Sequence, residues 1–141
     1  MSKVLVPIDG SVHALHALDL VLKQRAEGHS QDVHLLNVQP QVLSGHARMY
    51  LKREMIEEYH EEEALKALKP AQEKLEQAGV PYVSAHLVGH IAESIDKYAR
   101  THGCDHIVMG TRGLGSIGSL MLGSVASKLL HLADVPVTLV K

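Results

Sequence analysis

The stretch His106–Leu130, HIVMGTRGLGSIGSLMLGSVASKLL, holds five of the chain's 11 glycines, at positions 110, 113, 115, 118 and 123. An apolar run closes at Gly110, and a helix-like apolar pattern opens at Ser124. Glycines so placed let backbone N–H groups approach a phosphate, and the first turn of the following helix adds its dipole and free donors. The chemistry on offer is an anion cradle. A Walker loop needs Gly-x-x-x-x-Gly-Lys-Ser/Thr. Gly110 and Gly115 have that spacing, but Ser116 and Ile117 stand where the Lys and Ser/Thr belong. Gly113, Gly115 and Gly118 spell Gly-x-Gly-x-x-Gly, yet the dinucleotide fingerprint also requires an acid about 20 positions on. The next strand ends instead in Val140 and Lys141. A third spacing fits: Gly110-x-x-Gly113, nine residues, then Gly123-Ser124. The same residues also have simpler uses. Gly110 and Gly113 suit a tight turn, and Ser124 suits a helix N-cap.

Around this stretch the hydrophobic period switches repeatedly. Lys3–Ile8, Val33–Val38, Pro81–Val88, His106–Gly110 and Pro136–Val140 are short runs rich in Val, Ile and Leu, which favour buried strands. Between them lie helical patterns. Ser11 is a candidate N-cap for a helix reaching about Ala26, with Ala14, Leu15, Leu18, Val21 and Leu22 on one face and Gly28 beyond its end. Tyr50–Ala78 reads as a long helix closed by Gly79, which Pro70 should bend or divide. Ala92–Thr101 and Ser124–Leu132 complete the set. Strands alternating with helices imply an α/β fold: a single doubly wound, Rossmann-like, five-stranded parallel sheet, order 3-2-1-4-5, with helices on both faces. Ligands then bind at the carboxyl ends of the strands where the order reverses, between Asp9 and Gly110. Asp9 can also cap the first helix. The acidic run Glu57–Glu63 reads as a solvated helix face, and Gln39–Met49 as the one long loop.

Composition narrows the function classes. At 141 residues the chain is expected to be one domain, residues 1–141. A formal charge of −2 lacks the basic footprint of an obligatory nucleic-acid binder. No apolar run reaches the roughly 18 residues of a membrane span, and the N-terminus enters a strand without room for a signal peptide. With Cys104 alone, no intramolecular disulfide can form, and a cytoplasmic location is expected. Four Tyr and no Phe or Trp leave an aliphatic core and little aromatic stacking on bases.

Four segments in register, VLVPIDGS, GHIAESI (Gly89–Ile95), DHIVMGTRGLG and MLGSVASKLLHLADVPVTLV, resemble the universal stress protein family in its ATP-binding branch, over the whole chain. The resemblance implies an adenine-nucleotide site. Asp9 would border adenine and ribose with Pro7 and Ile8 beside it, and Val38 would pack on the base. Met109 and Gly110 would line the base from strand 4. Gly113, Gly123, Ser124 and Val125 would surround the phosphates, with Arg112 nearby. Where many members carry basic residues this chain has Gly118 and Ser119, leaving Arg112 and Lys128 as nearby cations.

The expected ligand is ATP, or AMP or ADP, with Mg²⁺ or Mn²⁺ entering through the phosphates and no protein metal site. The expected role is stress adaptation through a nucleotide-dependent homodimer joined at Pro136–Val140, an apolar edge strand. Two alternatives stay open: a slow ATPase, and a dimeric interaction or regulatory protein with no obligatory nucleotide. No Walker lysine or placed base favours fast hydrolysis. The 11 histidines raise a metal question. His13 and His16 share a helix face, but no third ligand accompanies them at zinc-site spacing. His34, His86 and His106 fall in strands, as satisfied or edge residues. Cys104 reads as a small core residue. No Gly-x-Ser-x-Gly elbow supports Ser-His-Asp catalysis.

Overall fold

Valine- and leucine-rich runs too short for helices form the strands, and each interval between them carries an amphipathic helix. The computed structural model describes residues 2–41, 52–111 and 123–141. Their order is β1 (Ser2–Pro7), α1 (Val12–Ala26), β2 (Gln31–Gln39), α2 (Arg53–Gln77), β3 (Tyr82–Val88), α3 (Ile91–Thr101), β4 (His106–Gly110), α4 (Ser124–Leu132) and β5 (Val137–Val140). The five strands form one parallel sheet in the order β3-β2-β1-β4-β5, as the sequence pattern implies. Val4 pairs with Val33 across β1 and β2, Leu5 with Ile107 across β1 and β4, and Met109 with Leu139 across β4 and β5.

Alternation along the strands sends successive residues to two cores. Val4, Val6, Leu35 and Val108 meet Leu18 and Val21 of α1 and Leu68 and Leu75 of α2 on one face. Leu5, Leu36, Ile107 and Met109 meet Ile95 and Tyr98 of α3 and Leu129 of α4 on the other. Strands covered on both faces need no polar alternation, which is why β1 and β4 read as unbroken apolar runs. No helix among the described residues is long and apolar enough to cross a membrane.

Three details differ from expectation. α2 begins at Arg53, with Tyr50 and Leu51 outside the described residues, as is most of the loop beyond Gln41. Of the two outcomes expected at Pro70, bending or division, division does not occur: α2 runs unbroken for 25 residues. Pro70 and Lys66 are both exposed, so the Lys66 carbonyl that loses its helical donor is on the side of α2 that meets solvent. In α4 the N-cap is Gly123, without a side-chain cap, and Ser124 is already the first helical residue.

Candidate functional site

The chain turns from β1 into α1 through a small set of local bonds. Gly10 takes a φ of 87°, and the Asp9 carboxylate accepts from the Ser11 N–H at 2.9 Å. Ser11 Oγ accepts from the Ala14 N–H at 3.3 Å, so Ser11 caps α1 and Asp9 braces the turn before it. Asp9 itself stays exposed at the strand end.

β4 ends beside this turn. Gly110 lies so close to α1 that an added Cβ would sit 2.7 Å from His13 Cβ and 2.8 Å from the His13 carbonyl carbon. The Thr111 N–H donates to Val140 O at 2.9 Å, and the Gly123 N–H donates to Thr111 O at 2.8 Å. Both ends of the glycine-rich segment are thereby pinned at Thr111, which seats the start of α4 at the carboxyl end of β4. The first helical bond of α4 runs from the Ser127 N–H to Gly123 O at 3.0 Å. The N–H groups of Ser124, Val125 and Ala126 precede it and find no acceptor inside the helix. Three donors and a helix dipole suit an anion.

The end of β2 offers a different pattern. The Ile8 N–H donates to Leu36 O at 2.8 Å, and Gln39 O accepts from the Gly89 N–H at 2.9 Å. Backbone groups of Leu36 and Val38 therefore point towards β1, and those of Asn37 and Gln39 towards β3. The β1–β2 ladder stops at Pro7 and Leu36. Val38, one step further, presents an N–H donor and a C=O acceptor with no strand partner.

These ends surround a cleft of about 600 Å³, within the range of small-molecule sites. Nine of the eleven residues singled out from the sequence line it: Pro7, Ile8, Asp9, Val38, Met109, Gly110, Gly123, Ser124 and Val125. Arg112 and Gly113 lie outside the described residues. Lys128 does not line it. Its ammonium sits 2.7 Å from Glu93 Oε1 and holds that carboxyl below its ordinary pKa. Sequence reasoning missed the wall that α2 supplies, Tyr59, Glu63 and Lys66. Steps of four and three residues put them on one helix face, a signal hidden inside a run that reads as solvated acid. Glu63 and Lys66 have no hydrogen bond or ion pair among the described residues. Among the described residues, Lys66 is the one basic side chain lining the cleft. Tyr59 also puts an aromatic ring at the cleft, where none was expected.

The histidines lie mostly elsewhere. His34 Nδ1 is 2.9 Å from the Tyr98 hydroxyl, and burial pushes its pKa down, with His102 and Lys3 adding to the effect. His106 Nε2 is 2.7 Å from Thr138 Oγ1, and burial lowers its pKa too. His86 is exposed on the edge strand β3. His13 and His16 rings meet edge-on at 6.1 Å, with His16 Nδ1 2.9 Å from Lys141 O. Cys104 is buried in the core, and desolvation pushes its thiol pKa up.

The fold and this cleft define a doubly wound α/β protein with an open cleft where the strand order reverses. The model of the universal stress protein family matches residues 1–141, and the chain belongs to that family. A universal stress protein of Thermus aquaticus is 37% identical over 139 residues, covering 98% of this chain and 97% of its own. Universal stress protein YxiE of Bacillus subtilis is 31% identical over 147 residues, covering 99% of each. The solved structure of MJ0577, a universal stress protein of Methanocaldococcus jannaschii, superposes with a TM-score of 0.85 at 28% identity, covering 99% of this chain and 95% of that one. A family protein from Arabidopsis thaliana with AMP bound has a TM-score of 0.73 at 21% identity, covering 100% and 92%. One from Archaeoglobus fulgidus in complex with dAMP has 0.70 at 23%, covering 100% and 98%. At those two identities the likeness is one of fold.

Proposed function

We propose that this protein binds an adenine nucleotide, ATP or its ADP and AMP counterparts, in the cleft between β1 and β4, and works as a nucleotide-dependent homodimer in stress adaptation. The observation that carries the reading is the pairing of two unlike backbone sites in one cleft. The start of α4 offers N–H donors to phosphate. At the other end, the Val38 N–H and C=O match the N1 acceptor and 6-amino donor of adenine. AMP and dAMP in family members of the same fold support an adenine nucleotide in general. In this reading Asp9, Pro7 and Ile8 border the ribose and base, with Met109 and Gly110 beneath. Gly123, Ser124 and Val125 face the phosphates, and Arg112 and Gly113 complete the loop. Gly123 has φ −62° and ψ 152°, angles open to any residue, so a glycine there serves close approach rather than backbone strain.

Mg²⁺ or Mn²⁺ would arrive on the phosphates, as is usual for such ions. Dimerisation would use β5, whose four residues are half-buried at the sheet edge and carry no charge. A slow ATPase and a dimeric interaction protein without obligatory nucleotide are the competing readings. Chromatography of whatever nucleotide leaves the denatured, purified protein, with calorimetric titration of ATP and GTP, separates them from ours. Expected is a tightly held adenine nucleotide whose binding weakens in Gly123→Val. No binding by wild type leaves the interaction protein. Phosphate release near the typical enzyme rate of about 10 per second, lost on changing a cleft residue, establishes an ATPase.

A further inference from the structure

A buried polar chain runs from α2 to the end of β1 without touching either phosphate-facing element. The Asn37 side-chain amide donates to Ile8 O at 2.8 Å. Gln39 Nε2 donates to Asn37 Oδ1 at 3.0 Å and to His60 O at 2.8 Å. Those two carbonyl acceptors fix the Gln39 amide, so its Oε1, 3.0 Å from His60 Nδ1, accepts the Nδ1–H. Asn37 and His60 are each only 4% exposed. His60 Nε2 is buried without a partner in the structure, so His60 keeps its place through Nδ1 alone.

The first bond of this chain occupies the one acceptor the sheet would otherwise use. Were the β1–β2 ladder to continue, the Val38 N–H would donate to Ile8 O, as the Ile8 N–H does to Leu36 O one step earlier. The Asn37 amide holds that oxygen instead, and the ladder stops. We infer that Asn37, locked by Gln39 and His60, is a positioning residue that keeps the Val38 N–H free, and that it thereby sets the choice of base in the cleft. This inference rests on the adenine-nucleotide reading for its ligand but not for its geometry. Burying Asn37 and His60 beside the half-buried Gln39 is costly wherever a polar group lacks a partner, as His60 Nε2 does, so the bonds that are made must hold the three in place. Here the partners form a chain that ends at the carbonyl controlling the cleft.

Two measurements test it. Amide hydrogen exchange on isotopically labelled, nucleotide-free protein reads the ladder directly. Val38 should exchange quickly in wild type and more slowly in Asn37→Ala, where Ile8 O becomes available. Calorimetric titration with ATP and ITP reads the choice of base. Hypoxanthine carries a donor at N1 and an acceptor at the 6-position, the reverse of adenine. Asn37→Ala should narrow the ATP-over-ITP preference by about two- to tenfold, the worth of one hydrogen bond. His60→Leu should narrow it as well. His60→Asn, which keeps a donor at the Nδ1 position, should restore it, an outcome that packing alone does not give. Val38 exchange and base preference both unchanged in folded variants would overturn the inference. A wild type that binds no nucleotide overturns the nucleotide reading, while the exchange result still decides whether Asn37 stops the ladder.

Discussion

Gly110→Ala should destabilise the protein and weaken its ligand site together. The added Cβ would stand 2.7 Å from His13 Cβ, 2.8 Å from its carbonyl carbon and 3.0 Å from its carbonyl oxygen. Carbon atoms pack best about 3.5–4.0 Å apart, so α1 and β4 must separate by roughly 1 Å. Two of the three contacts are to α1 backbone, so no side-chain rotation relieves them. Overpacking of this kind costs about 1–3 kcal/mol. With 141 residues at an unfolding entropy of about 2.1 cal/mol/K each, roughly 0.3 kcal/mol/K in all, a cost of 2 kcal/mol lowers Tm by about 7 °C. α1 begins with the turn that carries Asp9 and Ser11 into the cleft, so moving it also loosens ligand contacts. Gly28→Ala is the control: φ is +100° with no atom within 4 Å, so it loses only conformational ease and leaves the cleft alone. Thermal unfolding and calorimetric titration of both variants give the comparison. A Gly110→Ala protein with wild-type Tm and wild-type ATP affinity would refute the close approach of β4 and α1 as the reason for glycine there.

Three more outcomes are expected. His34 and His106 have folded-state pKa values below the ordinary 6.5, so between the two values the unfolded chain binds more protons. Their contribution is fully present above about pH 6.5 and is lost as pH falls towards the folded values, so urea midpoints at pH 5.0 should lie below those at pH 7.5 by less in His34→Phe than in wild type. Lys66→Met removes the described cation of the cleft, so ATP affinity should fall about two- to fivefold with a weaker salt dependence, measured by titration at two ionic strengths. Pro136 O and Val140 O accept from Ile107 and Thr111 on the β4 side, so the Val137 N–H faces the free edge of β5. Val137→Pro deletes it, and light scattering after size exclusion should show monomer where wild type runs as dimer.

Fold and strand order were legible because the sheet is covered on both faces. Buried parallel strands announce themselves as short apolar runs, and Gly28, Gly79 and Gly103, all at positive φ, mark where helices end. What misled was a rule applied without its surroundings. Pro70 costs α2 one hydrogen bond and crowds the Lys66 carbonyl, but Lys66 faces solvent and the helix continues past it. The acidic run of α2 was likewise read as one surface. A helix offers three sides to three neighbours, and within seven residues this one buries His60, lines the cleft with Tyr59 and Glu63, and exposes the rest. Composition averages over those directions, so it cannot separate them.

The two glycines that both borders of the cleft share make the same point at the site itself. Spacing treats Gly110 and Gly123 as halves of one phosphate motif, yet the structure gives a packing cause for the first alone. Gly110 is small because α1 packs against it, with His13 within 3 Å of where a side chain would begin. Gly123 sits at dihedral angles any residue can hold, so backbone strain does not demand its lack of a side chain. On the adenine-nucleotide reading, what demands it is the phosphate approaching the start of α4 from the cleft. A motif that mixes a packing constraint with a ligand constraint keeps its spacing only while both hold. Replacing Gly110 should therefore act first on stability, and replacing Gly123 first on binding. That division predicts a Gly123→Ala protein with wild-type Tm and reduced nucleotide affinity. A loss of stability as large as that of Gly110→Ala, with affinity intact, would show that both glycines answer to packing alone.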